Sequence, residues 1–322
     1  MNFVYPDDTL QKILTCQPFY ESYEQECQCK DLLDSLSIED QEAAACTSYA
    51  YWYSSRKHKD TEPHVRSMMA MKEVRRHFVG EGGNIESSLK SLVATLAFRK
   101  EYQVDLLRLC FLTDVQFLSD EERDQCLLMQ SWIASELPKQ HIVVLGKDNS
   151  NRPTVRLSSR QKNDDADNNN FHMDAFILTR IYMVERAAAT VEYLSQGERD
   201  TFNVVFRCDD YDRAFAPPFT AIQSMVKVLQ QNYPERLHQF VALDPPFWIR
   251  TIYSLLKYLV ASDSAKKIFL ITKYDIQNDS TGISSSLSDE VLFGHIDPTY
   301  YLWNVPFYCP YEEKLSSLEK PM

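Results

Sequence analysis

Glycine is scarce in this chain, which has 7 Gly among 322 residues. A dinucleotide-binding loop of the type G-x-G-x-x-G needs three glycines, but the cluster at residues 80–83 is followed by Ile85 where the third would fall. A phosphate loop of the type G-x-x-x-x-G-K-[ST] is also absent, because Gly146 and Lys147 are followed by Asp148. The sequence therefore contains neither of these two glycine-rich loops that bind nucleotide phosphates.

Positive charge is scarce as well. Lys+Arg 34 against Asp+Glu 46 gives a formal net charge of −12. Nucleic-acid-binding surfaces usually carry a basic stripe, so we expect no nucleic-acid partner. The short basic segment from Arg56 to Asp60 has two interpretations, a solvated linker between helices or a patch that meets an anionic membrane surface. Charge runs between helices are usually linkers, and the linker is favoured.

Long apolar runs are missing too. No stretch approaches the roughly 20 apolar residues of a membrane-spanning helix. The first ten residues, MNFVYPDDTL, lack the basic and apolar segments of a secretory signal, so we expect a cytoplasmic protein whose eight cysteines are free thiols. Cys27 and Cys29 stand too close together for a zinc knuckle, and the seven histidines form no H-x-x-x-H group. We expect neither a metal nor a cofactor.

Motifs for covalent catalysis are absent from the sequence. Residues 282–286, GISSS, lack the G-x-S-x-G spacing of a nucleophile elbow. Cys208, Asp209 and Asp210 follow a predicted strand, where adjacent carboxylates can bind a cation or act as bases. They can equally close a turn by accepting backbone hydrogen bonds, and this second interpretation is favoured. The sequence predicts that the protein is not an enzyme.

Helical patterning dominates the first 137 residues. Short polar helices, one of them over residues 38–56, precede Pro63, and apolar residues then recur at helical spacing to Leu137. Asn84 and Ser119 are placed to cap helices. Short β-rich runs follow, at residues 141–145, 154–158, 202–206, 238–243 and 267–272. The first two form a hairpin, and helices that begin at Pro-Pro pairs separate the last three. The predicted fold class is α/β, with an N-terminal all-helical lobe and a mostly parallel sheet.

Residues 247–259 form a predicted helix that is rich in apolar residues. Their apolar surface exceeds what a helix buried on one side needs. One interpretation is a buried core helix, which periodicity alone favours. The other is a helix with a lipid cavity on one side and a membrane on the other.

Two motifs beside this helix resemble a known family. Residues 231–237, QNYPERL, and residues 243–248, LDPPFW, are similar to the signature of CRAL-TRIO lipid-binding domains. Residues 74–78, VRRHF, and 97–101, AFRKE, resemble the family's N-terminal helical module, so the resemblance covers about residues 62–272. It implies four segments: an N-terminal helical extension at 1–61, the helical module at 62–137, a lipid-binding lobe at 138–310 and a C-terminal tail at 311–322. Within the lipid-binding lobe it implies a sheet that forms the floor of the cavity, flanking helices and a gate helix.

The resemblance implies that the protein binds a ligand in an internal cavity and does not catalyse a reaction. One hydrophobic lipid would lie between the sheet and a mobile gate helix, here Phe247–Leu259, and a monomeric protein would transfer or present it by touching membrane surfaces transiently. Phospholipid, phosphoinositide, sterol, tocopherol-like and isoprenoid ligands remain open. The pocket and gate residues that the resemblance implies are Val204, Phe206, Phe219, Phe247, Ile252, Leu255, Leu256 and Leu259.

The resemblance also implies a polar end to the cavity. Glu235, Ser264 and Lys267 match the positions that hold the headgroup in phosphatidylinositol-binding members, and the basic pair that assists them there falls at Glu81 and Gly82 in this sequence. An acidic group at that position would repel phosphate. Glu235 and Lys267 also fit a structural ion pair, which is the favoured interpretation.

A second class of function fits the same fold. A protein-interaction module, such as a regulator of small GTPases, could keep the fold without a lipid pocket. The two hypotheses differ in whether the protein purifies with a stoichiometric lipid.

Overall fold

A computed structural model shows how these segments fold. It describes residues 7–57, 62–111, 118–136, 140–148, 150, 152–159, 171–208, 216–258, 260, 262–272 and 274–275.

Eight helices make up the described part of the N-terminal region. They are α1 (Asp7–Thr15), α2 (Tyr23–Asp34), α3 (Ile38–Ala45), α4 (Tyr49–Lys57), α5 (Pro63–Gly80), α6 (Ile85–Glu101), α7 (Val104–Leu107) and α8 (Asp120–Glu136). The caps predicted from the sequence are present. The Asn84 side chain accepts from the Ser87 N–H at 2.9 Å, and Ser119 and Glu122 form a reciprocal capping box with bonds of 2.9 and 3.2 Å.

The prediction of one helix over residues 38–56 was wrong, because the chain breaks between α3 and α4. The carbonyls of Cys46 and Thr47, which a continuous helix would use internally, accept from the Arg108 guanidinium at 2.8 and 2.7 Å. The N–H groups that would have reached them bond elsewhere, that of Ala50 to Glu192 and that of Tyr51 to the Ser48 hydroxyl. These four backbone groups therefore keep hydrogen-bond partners although the helix is interrupted.

Five strands are present in the described residues: β1 (Gln140–Lys147), β2 (Pro153–Ser159), β3 (Phe202–Arg207), β4 (Leu237–Leu243) and β5 (Ile268–Ile271). They lie side by side in chain order. β1 and β2 pair antiparallel, whereas β2, β3, β4 and β5 pair parallel. This confirms the predicted fold class, a helical region followed by an α/β part with a mostly parallel sheet.

The helices that connect these strands are α9 (Met173–Ser195), α10 (Phe219–Asn232), α11 (Phe247–Leu256) and α12 (Ser262–Ala265). Because the parallel strands follow one another across the sheet in chain order, right-handed crossovers place α9, α10 and α11 on one face. A continuous hydrophobic core takes side chains from each of α1 to α10. The helical region therefore packs against α9 and α10. The boundaries proposed at residues 61, 137 and 310 stay predictions.

Among the described helices, none is long and apolar enough to cross a membrane.

Candidate functional site

The helix-covered face of the sheet carries two apolar rows. Register pairs Val155, Val204, Phe240 and Ile268 across β2 to β5, and the next row is Leu157, Phe206, Ala242 and Leu270. Ala187 and Val191 of α9 pack on the first row at β2 and β3, where Val155 and Val204 are buried. Towards β5 the larger side chains of both rows are only half-buried. The two apolar rows are thus covered by α9 at β2 and β3, and they are less completely covered towards β5.

Helix α11 connects β4 to β5 on this same side of the sheet. Its sequence, FWIRTIYSLL, contains no acidic residue, and only Leu256 is buried, with 9% of its surface exposed. Ile252 is half-buried, whereas Phe247 is 83% and Leu255 54% exposed. The helix therefore has an apolar inner side and a second apolar side that faces solvent, which a core helix would not have.

The structure places the predicted pocket residues at different depths. Val204 belongs to the buried cluster under α9, Phe206 lies half-buried with its ring centroid 6.4 Å from that of Phe240, and Phe219 is half-buried at the first turn of α10. Ile252 and Leu256 lie on the inner side of α11. Phe247 and Leu255 lie on its outer side, and Leu259 lies outside the described residues.

The predicted headgroup residues meet at the amino edge of the parallel strands. Lys267 donates to Glu235 at 3.0 Å, and both side chains are about one-third exposed. Ser264 is half-buried in α12, and its carbonyl accepts from the Lys267 N–H at 3.1 Å. Glu235 has a left-handed backbone, with φ at 53°. A conformation of this kind is costly for a residue other than glycine and persists only where neighbouring contacts hold it.

The turn that contains Glu81 and Gly82 lies beside this ion pair. A Cβ on Gly80 would come within 3.0 Å of the Pro234 Cβ, so the end of α5 touches the residue before Glu235. Glu81 caps α5 and is exposed, and Gly82 has φ at 63°. The end of α5 therefore packs against the residue before Glu235, and the Glu81 side chain that follows it is exposed.

Tyr233, which belongs to the QNYPERL motif, has a partner that the sequence did not reveal. Its hydroxyl donates to Glu185 of α9 at 2.8 Å, and the same carboxylate accepts from Arg99 at 2.8 Å and Arg108 at 2.6 Å. Burial alone would raise the pKa of Glu185, but Arg108 and Arg99 hold it at about 2. Tyr233 thereby joins the α10–β4 connection to α6 and the segment after α7.

Arg236, two residues after the motif's proline, has a similar anchoring role. Its guanidinium lies 3.9 Å from the carboxylate of Glu73 and donates to the Asp200 carbonyl at 3.5 Å. Glu73 also pairs with Arg76 and accepts from the Thr47 hydroxyl. Burial alone would raise the pKa of Glu73, but the facing guanidiniums hold it well below its usual range. The motif therefore fastens both sides of Glu235 to the helical region.

Metal binding finds no support in the described part of the chain, which has no group of three or more His, Cys, Asp and Glu side chains suited to an ion. Cys208 is buried after β3, and Asp209 and Asp210 lie outside the described residues.

Comparisons with known proteins agree with this geometry. Residues 137–288 match the family described as the CRAL/TRIO domain. Over 191 residues, 58% of this chain, the sequence is 26% identical to the phosphatidylinositol transfer protein PDR17 of Saccharomyces cerevisiae. That match covers 48% of PDR17, so the chain spans about half the length of the curated relative it matches.

A solved structure shares the fold. The crystal structure of Sfh5 superposes with a TM-score of 0.51 over 81% of this chain and 85% of that chain, at 13% sequence identity. The resemblance inferred from the QNYPERL and LDPPFW motifs is thereby confirmed. Residues 137–288 of this chain are thus similar in sequence to the CRAL/TRIO domain.

Proposed function

We propose that this protein binds one hydrophobic lipid between α11 and the sheet and transfers or presents it between membranes. The observation that carries the proposal is that two apolar rows of the sheet are only half-buried towards β5, on the side where the β4–β5 crossover places α11. A lipid tail would cover both. Lipid binding is also supported by the similarity to the CRAL/TRIO domain and to a yeast protein named as a phosphatidylinositol transfer protein.

The energetics favour a carrier with few directional contacts. Each buried CH₂ group contributes about 0.8 kcal/mol, so an acyl chain or ring system supplies most of the binding free energy. Polar groups at one end then orient the ligand. In this proposal Glu235, Ser264 and Lys267 contact that polar end, while Phe206, Phe219, Ile252 and Leu256 line the cavity beyond Val204. The proposed activity needs no catalytic residue and no cofactor.

The outer side of α11 suits transient contact with a membrane surface. Phe247, Leu255 and Tyr258 expose 83%, 54% and 82% of their surfaces. Arg250 and Lys257 are exposed on the same segment, and no Asp or Glu occurs between Asp244 and Asp263 in a chain of net charge −12. Apolar and basic side chains together favour an anionic bilayer surface. A cytoplasmic, peripherally membrane-associated location is part of this proposal.

The direct test is native mass spectrometry of the purified protein, followed by lipid extraction and a vesicle-to-vesicle transfer assay. We expect one lipid per chain and transfer of that lipid. Absence of both would reject the proposal and favour the protein-interaction module as the function of this fold.

Leu256→Trp tests the assignment of α11. Leu256 is the buried residue on the inner side of this helix, so an indole there would fill the space of the lipid and abolish uptake. Overpacking costs typically 1–3 kcal/mol, so circular dichroism must show that the variant is folded. Leu128→Trp in α8, where the leucine is 55% exposed, is the matched control and should bind lipid normally. Unchanged uptake by folded Leu256→Trp would place the pocket elsewhere.

A further inference from the structure

Helix α8 presents an apolar surface to solvent. Leu127 and Leu128 are each more than half exposed, and Trp132, one turn further along the helix, is more than one-third exposed. Residues four apart lie on the same side of a helix, so Leu128 and Trp132 are neighbours. Single exposed leucines are ordinary on a protein surface, whereas adjacent large apolar side chains indicate an interaction site.

The start of α9 extends this surface. The ring centroid of Trp132 lies 5.8 Å from that of His172, the residue that caps α9. Phe171 precedes His172 and is more than one-third exposed, and its ring centroid is 5.5 Å from that of Phe176. Four exposed side chains on two helices thus form one surface, the α8–α9 patch: Leu127, Leu128, Trp132 and Phe171.

Uncompensated negative charge lies beside the patch, on the first two turns of α8. Glu121 and Asp124 are exposed, and in the described part of the chain neither forms an ion pair. Arg123, which stands between them in the sequence, is paired with Asp120 at 2.9 Å. Because Asp124 lies one turn before Leu128, a partner bound to the patch would meet apolar side chains and, one to two turns away, two carboxylates.

These charges decide which occupant fits the patch. An anionic bilayer would be repelled by the carboxylates of Glu121 and Asp124. A second copy of this chain would bring the same acidic residues and the same net charge of −12. A partner that carries Lys or Arg beside its apolar residues would be attracted by the carboxylates and would also cover the exposed leucines.

We propose that the α8–α9 patch binds an amphipathic helix of a different protein, in which Lys or Arg flank large apolar side chains. A helix that lays its apolar side on the surface of other helices is a common mode of recognition. From Glu121 to Trp132 an α-helix rises about 16 Å, so a partner helix of about three turns spans both the carboxylates and the patch. The inference is independent of the proposed lipid binding, because α8 and Phe171 take no part in the proposed pocket.

The probe is a labelled peptide of about 18 residues made of leucine and lysine, with the leucines at helical spacing so that lysines flank an apolar side. Fluorescence anisotropy measures its binding to the full chain. We expect a dissociation constant below about 100 μM that rises with salt, because part of the attraction is electrostatic. The same peptide with glutamate in place of each lysine should bind at least about tenfold more weakly. Equal binding of the two peptides, or no binding of the lysine peptide at about 1 mM, would overturn the proposal.

A pair of serine substitutions locates the binding surface. Leu127→Ser with Leu128→Ser should weaken binding of the lysine peptide by at least about tenfold, and circular dichroism should show an unchanged fold because both leucines are exposed. Tyr23→Ser with Ile38→Ser is the matched control, since these side chains are also exposed, on the acidic helices α2 and α3. Equal weakening in both double variants, or none in the first, would remove the peptide from α8.

A charge reversal tests the acidic part of the surface. Glu121→Lys with Asp124→Lys should weaken binding of the lysine peptide by about tenfold at low salt and by less at high salt. Glu24→Lys with Glu26→Lys is the matched control, because both glutamates are exposed in the first turn of α2 and the net charge changes equally. Equal effects in the two double variants would show that only the total charge matters and would overturn the assignment.

The two other occupants have signatures of their own. If the chain sediments as a dimer that Leu127→Ser with Leu128→Ser converts to a monomer, the patch binds a second copy. If the same variant loses binding to anionic vesicles, the patch contacts a membrane. Either result would overturn the proposal of a basic protein partner, and a parent chain that is monomeric and keeps its vesicle binding in the variant supports it.

Discussion

The Tyr233 hydroxyl is a single group through which the QNYPERL motif can be tested. It donates to the buried Glu185 carboxylate at 2.8 Å. Burial, followed by the negative charge of Glu185, raises the pKa of Tyr233 well above its usual value, so the hydroxyl stays a donor. A hydrogen bond to a charged group contributes about 1.5–3 kcal/mol. Tyr233→Phe should therefore lower the free energy of unfolding by about 2 kcal/mol, measured by urea denaturation.

Tyr258→Phe is the control for that measurement. Tyr258 is 82% exposed after α11, so removing its hydroxyl should change the unfolding free energy by less than about 0.5 kcal/mol. If Tyr233→Phe proved as stable as the parent protein, the bond to Glu185 would not anchor the α10–β4 connection.

Glu235 shows how residue-scale strain is maintained by its neighbours. Its left-handed backbone lies between Tyr233, bonded to Glu185, and Arg236, which faces Glu73, while Pro234 rests against Gly80. Strain of this kind costs on the order of 1–3 kcal/mol. Because both flanking residues are fastened to the helical region, the Glu235 carboxylate is directed to Lys267 without relying on the ion pair alone.

At the scale of elements, α11 should bind membranes through its outer side. Phe247→Ser combined with Leu255→Ser removes two exposed apolar side chains and should weaken binding to anionic vesicles by more than about tenfold, since each contributes about 1.5–3 kcal/mol when fully buried. The unfolding free energy should stay nearly constant, because neither side chain is buried. Vesicle co-sedimentation measures the loss.

The paired control for α11 is Leu127→Ser with Leu128→Ser. These leucines are 61% and 55% exposed on α8, whose first turn carries Asp120, Glu121 and Glu122. The same loss of apolar surface there should leave vesicle binding unchanged. An equal loss in both double variants would mean that α11 has no special part in membrane contact.

Elements with local signals were predictable from the sequence, and those set by distant partners were not. The cap at Asn84 and the capping box of Ser119 depend on residues three positions away. The break between α3 and α4 depends on Arg108, 62 residues from Cys46, and so a helix was predicted through it. In the candidate site, the apolar character of α11 was visible, but the partner of Tyr233 lies 48 residues away. Periodicity cannot identify such a partner.

At the scale of the whole molecule, buried charge joins the helical region to the sheet region. Glu185 of α9 binds Arg99 and Arg108, and Arg108 also holds the Cys46 and Thr47 carbonyls. Thr47 in turn donates to Glu73. The network therefore runs from the N-terminal helices to the α10–β4 connection, and removing any one charge leaves others buried without compensation.

This network predicts how stability depends on pH. Folding lowers the pKa of Glu185 to about 2, because Arg108 and Arg99 outweigh the effect of burial, and the pKa of Glu73 is also lowered by facing guanidiniums. A carboxyl with a lowered folded-state pKa stabilises the protein above its unfolded pKa of about 4.3. That stabilisation is lost as the pH falls towards 2. For Glu185 the loss is on the order of 3 kcal/mol.

Urea denaturation at pH 7, 5, 4 and 3 measures this dependence. Glu185 and Glu73 should change the unfolding free energy little between pH 7 and 5. Below pH 5 the unfolding free energy should fall steeply as the two carboxylates become protonated. Glu185→Gln should be less stable at pH 7 by about 3–5 kcal/mol, because Arg99 and Arg108 lose their buried counter-charge. Its unfolding free energy should also fall less between pH 5 and 3 than that of the parent protein. Glu101→Gln, at an exposed position, should keep the parent slope. An equally steep fall in Glu185→Gln would show that the acid sensitivity arises outside this network.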